Sequence, residues 1–62
     1  MKTVTNSYSI VYKKEAPDRI QLDNDKEAID YALRNRSKGL VGIYQATEDK
    51  GIYEYDILVK LF

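Results

Sequence analysis

The last third of the chain reads Leu40-Val41-Gly42-Ile43-Tyr44-Gln45-Ala46-Thr47, then Glu48-Asp49-Lys50-Gly51, then Ile52-Tyr53-Glu54-Tyr55-Asp56-Ile57-Leu58-Val59-Lys60-Leu61-Phe62. Two segments rich in β-branched and aromatic residues flank a polar tetrapeptide that ends in glycine, which is the pattern of a β-hairpin. The turn is expected to be a type I turn plus bulge, with Gly51 at positive φ. Pairing Glu48 with Ile52 sets Val41 against Val59, Ile43 against Ile57, Gln45 against Tyr55 and Thr47 against Tyr53, one apolar face to meet a helix. The other face then carries Leu40, Gly42, Tyr44 and Ala46 against Lys60, Leu58, Asp56 and Glu54.

That helix lies just upstream. Asn24 followed by Glu27 has the form of a capping box, and Ala28, Ile29, Ala32 and Leu33 recur at helical spacing. Asp30 and Arg34 suit an i,i+4 pair. Arg34, Arg36 and Lys38 complement the helix dipole, and Gly39 supplies a left-handed stop, so the helix is placed at 25–37. Further back, Val4, Tyr8, Ile10 and Tyr12 alternate with polar residues as a half-buried strand over 3–13. Pro17 and Asp18 interrupt it, and Ile20-Gln21-Leu22 offers a short second strand.

The order β-(β)-α-β-β gives an α+β two-layer sandwich, one helix on a three- or four-stranded antiparallel-rich sheet. The whole chain, 1–62, is one small domain, since a chain this short buries only about 60% of its unfolded surface. The first strand and the one after the helix are expected to run parallel, joined by a right-handed crossover. Apolar residues on both faces of 52–62 favour a central place for the last strand.

Ten basic and ten acidic residues cancel, which argues against nucleic acid, whose phosphates call for a surplus of cations. Lys13, Lys14 and Arg19 are the cations such a role would use. Histidine and cysteine are absent, which removes Ser–His, Cys–His and His–metal arrangements and any disulfide framework. No metal site and no cofactor is expected. Asp23-Asn24-Asp25 lacks the later ligands and the glycine of a calcium loop. Gly39 and Gly42 follow a helix rather than precede one, so they do not form a phosphate loop. Glu54 and Asp56 lack a pocket wall to tune them as acid and base, so no enzyme is expected. No apolar run approaches the roughly 20 residues of a membrane span, and a cytoplasmic protein is the expectation.

Six tyrosines stand out in 62 residues. Tyr8, Tyr12, Tyr53 and Tyr55 fall on expected core faces, whereas Tyr31 and Tyr44 lie off them and read as interface residues. The leading expectation is a non-catalytic protein-binding module, of the kind small bacterial or phage regulators and inhibitors provide. Tyr44, Glu54, Asp56 and Leu58 would form its contact surface, and an acidic strip of Glu48, Asp49, Glu54 and Asp56 would favour a basic partner. A homodimer interface is expected at Leu40, Tyr44, Leu58 and Phe62. The alternative is a small-ligand or nucleotide binder, its site between subunits, with Arg34, Arg36 and Lys38 holding phosphate.

Overall fold

A computed structural model describes all residues, 1–62. The elements are β1 (Thr3–Tyr12), β2 (Asp18–Gln21), α1 (Asp25–Arg34), a 3-10 turn (Arg36–Lys38), β3 (Leu40–Asp49) and β4 (Ile52–Leu61). One helix packs on a four-stranded, wholly antiparallel sheet in the order β2-β1-β3-β4. This is the two-layer α+β arrangement that the sequence pattern implies.

The strand directions differ from expectation for a physical reason. Ile20 does pair, opposite Tyr8, so the chain turns back once before the helix begins. The crossover through α1 therefore joins β2 to β3, and both run opposite to β1, which lies between them. β1 and β3 are antiparallel rather than parallel, and β4 is an edge strand rather than a central one.

The helix begins where the Asn24 side chain accepts the Glu27 N–H at 2.9 Å. It ends at Arg34, three residues short of expectation, because the Asn35 amide donates back to the Tyr31 carbonyl at 2.9 Å and the chain tightens into the 3-10 turn. Gly39 then takes φ 83, and a Cβ there would come within 3.3 Å of the Lys13 Cβ. Asp30 pairs with Lys26 at 3.0 Å rather than with Arg34. Ala28 and Ala32 are wholly buried, their small side chains letting the helix lie close to the sheet. Leu33, at the margin of the stripe, is 41% exposed.

The core is Tyr8, Ile10, Tyr12, Ala28, Ala32 and Ile43, with Leu22, Ile29, Tyr31, Leu40 and Val59 packed around it. Ten helical residues span roughly 15 Å, whereas the ten-residue strands β1, β3 and β4 run roughly 33 Å. The helix thus covers about half of the sheet. Beyond its reach the same side turns polar: Lys2 meets Asp56 at 3.3 Å and Glu54 at 3.8 Å, and Thr47 Oγ1 donates to Asp56 at 3.0 Å.

Bulges reset the register. In β1 three residues, Thr5 to Ser7, stand opposite Ala46, between the pairs Val4 with Thr47 and Tyr8 with Gln45. Side chains satisfy the displaced backbone there: Thr5 Oγ1 accepts the Ser7 N–H and donates to the Ala46 carbonyl, and Gln45 Nε2 donates to the Thr5 carbonyl. β4 carries two further irregularities, one opposite Ala46 and one beside Ile43. The hairpin pairs Asp49 with Ile52, Glu48 with Tyr53, Gln45 with Ile57, Tyr44 with Leu58 and Gly42 with Leu61. This replaces the expected register. The turn is the two residues Lys50 and Gly51, both at positive φ (54 and 82), so it is a type I′ turn rather than type I plus bulge.

Candidate interaction surface

The side of the sheet away from the helix is built from small residues. Ser7, Ser9, Gly42 and Ala46 are buried although no element lies over them. Tyr55 provides part of their cover. Its hydroxyl shares a 2.8 Å hydrogen bond with Ser7 on β1, so the ring lies across β3 at the level of Ala46. Arg19 of β2 stacks on that ring, its guanidinium carbon 4.9 Å from the centroid. Tyr55 is therefore an outer-face residue and not a core one. Tyr53, opposite Glu48 and 48% exposed, is another.

Toward the C-terminal end of β4 this outer face is uncovered and apolar. Two cross-strand rows make it: Ser9, Tyr44 and Leu58, and next to them Val11, Gly42 and Leu61. Gly42 lets its neighbours approach closely, since a Cβ there would meet the Lys60 carbonyl oxygen at 3.1 Å, Leu61 Cδ2 at 3.3 Å and Tyr44 Cε1 at 3.6 Å. Leu58 is 52% exposed and Leu61 61%.

The bulges split the residues expected to act together. Tyr44 and Leu58 form a cross-strand pair on the outer face. Glu54 and Asp56 lie on the helix side with Thr47 and Lys2, so the expected four-residue contact surface does not exist as one patch. The expected dimer set divides in the same way. Leu40 packs against the core, and alternation from Leu61 puts Phe62 on the helix side, where the Lys60 ammonium lies 5.6 Å from its ring. Nor do the acids form a free strip. Asp49 meets the N-terminal ammonium, Glu48 accepts the Gly51 N–H, and Thr47 and then Lys2 hold the Asp56 carboxyl below its usual value. Val11 and Leu61 complete the apolar patch. The run Ile57-Leu58-Val59 alternates faces regularly, and the phase changes fall at its two ends, in Asp56-Ile57 and Val59-Lys60, where the polarity pattern does not mark them.

A second cluster joins helix to sheet. Tyr12 and Tyr31 donate to the same oxygen of Asp18, at 2.8 and 3.1 Å, with Lys38 Nζ 3.7 Å away and 5.2 Å from the Tyr12 ring centroid. The Tyr12 hydrogen bond, helped by Tyr31 and Lys38, holds Asp18 below its usual range. Burial, reinforced by Asp18, raises both Tyr12 and Tyr31. Tyr8 is pushed up to about 12 by burial and by its 2.8 Å hydrogen bond to Asp25. Tyr31 is thus an anchor between the layers rather than a free interface residue. Of the three expected phosphate ligands, Lys38 is committed to Asp18, and Arg36 donates to the Leu33 carbonyl at 2.8 Å. No cavity opens beside them or elsewhere, and no helix is long and apolar enough to cross a membrane.

No family model, curated protein or solved structure matches the chain.

Proposed function

We propose that the chain is a non-catalytic protein-binding module whose contact surface is the outer face of the β3–β4 hairpin, centred on Tyr44, Leu58 and Leu61. The observation that carries this reading is the pair of apolar rows left open on a face that the helix does not cover. An uncovered patch of aromatic and leucine side chains resting on small residues is the composition of a protein contact core. A face without a cavity suits another protein better than a small molecule. Tyrosines whose hydroxyls are tied to carboxylates and whose ionisation is pushed upward are poor bases or nucleophiles, which favours binding over chemistry. A standard interface takes roughly 800 Å² per partner, against 4230 Å² of total surface here. A module of this kind would act as a small regulator or inhibitor by occluding a partner's surface.

The test is site-specific photo-crosslinking in a native lysate, with the crosslinker at Leu61 or at Asp30 on the helix. A discrete heterologous adduct is expected from Leu61 only, and Tyr44→Asp, confirmed as folded by circular dichroism, should abolish it. Equal capture from both positions, or capture that survives Tyr44→Asp, refutes the assignment.

A further inference from the structure

The free edge of β4 carries a symmetry that neither the fold nor the partner reading requires. We infer that β4 pairs antiparallel with β4 of a second copy about a twofold axis at Leu58, joining two four-stranded sheets into one of eight.

The argument starts from which way each β4 side chain faces. Glu54 is opposite Thr47, Asp56 bonds Thr47, Ile57 is opposite Gln45, Val59 packs on the core and Lys60 is opposite Ile43, so all five lie on the helix side, with Phe62 beside Lys60. Tyr55, Leu58 and Leu61 lie on the outer side. Without irregularities a strand alternates strictly. The two in β4 instead leave the doublets Asp56-Ile57 and Val59-Lys60 on the helix side, flanking Leu58. The pattern from Glu54 to Phe62 therefore reads the same in both directions about Leu58. A twofold mate centred there sets Ile57 against Val59, Tyr55 against Leu61 and Glu54 against Phe62, with like faces meeting at every position. Shifting the axis by one residue sets helix-side residues against outer ones.

Charge selects the same pairing. Lys60 is the only cation on β4 and has no carboxylate partner within the chain. The twofold pairing sets it opposite Asp56 of the second copy, twice per dimer, whereas parallel in-register pairing would stack Asp56 on Asp56. Opposite charges across a ladder are favourable and like charges unfavourable. The free edge also presents unpaired backbone groups, and those between Glu54 and Phe62 come opposite the second strand. This pairing uses the edge of the sheet, leaves the outer face open and does not depend on the partner reading.

The chain has no cysteine, so Leu58→Cys can form a disulfide only between copies. Facing residues of paired strands sit about 4.5 to 5.5 Å apart at Cα, within disulfide range. Leu58→Cys in a glutathione buffer should give a covalent dimer and Asp30→Cys should not. By sedimentation equilibrium the unmodified chain should dimerise. Lys60→Glu should weaken the dimer about tenfold at low salt, with most of the loss recovered near 1 M salt, where the Debye length falls to about 3 Å. A monomer of 7.2 kDa at all accessible concentrations overturns the inference. So does a Leu58→Cys dimer unaffected by Lys60→Glu, since that outcome means packing through the outer faces.

Discussion

At φ 54, Lys50 is the one non-glycine residue in the left-handed region, and its side chain is exposed. The type I′ turn imposes this conformation, and asparagine tolerates it far better than lysine. Lys50→Asn should stabilise the protein by about 0.5 to 1 kcal/mol, seen as a higher urea midpoint at unchanged slope. Tyrosine ionisation makes a second residue-scale prediction. Tyr8 has its folded pKa raised from 10.0 to about 12, and Tyr12 is raised as well. Above pH 10 the folded state holds these protons more tightly than the unfolded chain does. Their contribution is therefore complete below pH 10 and is lost as pH rises through the folded values. Tyr8→Phe should lose about 1 kcal/mol at neutral pH through its hydrogen bond, yet show a flatter alkaline limb in denaturation midpoints from pH 9 to 12. Asp18 has the opposite sign. Its depressed pKa contributes stability above the ordinary value of 3.8 that is lost as pH falls below it, so Asp18→Asn should flatten the acid limb.

The elements with local chemical punctuation were legible in advance, and those defined by a partner strand were not. Asn24 caps α1 and Gly39 ends the turn after it, each by a short-range steric or hydrogen-bonding rule that one segment contains. The helix stops short of the 25–37 that its punctuation implies because the Asn35 side chain competes for the Tyr31 carbonyl, and propensity alone does not distinguish that end from a longer helix. The bulges were invisible because nothing in Thr5-Asn6-Ser7 requires one until Gln45 and Ala46 are placed beside it. The same contacts show what maintains the β1 bulge. Thr5→Val keeps the β-branched shape but leaves the Ser7 N–H without its acceptor. It should cost about 1 to 2 kcal/mol, with faster hydrogen exchange at the Ser7 amide. Thr3→Val, at an exposed position in the same strand, should stay within about 0.5 kcal/mol. Equal effects at the two threonines would mean that the bulge does not depend on the Thr5 hydroxyl.

Across the whole molecule, strand register decides which side chains share the candidate surface. Tyr44 and Leu58 stayed together because the true register pairs them directly, while each β4 bulge moved its neighbours to the opposite face, taking out Glu54 and Asp56 and bringing in Leu61. The accessible surface of 4230 Å² is close to the roughly 4,100 Å² expected at this mass. The body, however, is elongated at 37 × 20 × 16 Å, because the hairpin runs past the end of the helix. Stability must therefore concentrate where the two layers overlap. Ile10 and Ile43 face each other there and are wholly buried, whereas Ile52 near the turn is 65% exposed. Truncating a buried isoleucine to alanine costs about 2 to 5 kcal/mol, and a single core this small supplies only about 3 to 5 kcal/mol in total. Ile43→Ala should leave the chain largely unfolded at 25 °C by circular dichroism. Ile52→Ala, which opens no cavity, should stay within about 0.5 kcal/mol of the parent in urea titrations at low protein concentration. A folded Ile43→Ala with a small loss would mean that the free edge and outer face, rather than the overlap of helix and sheet, supply much of the stability.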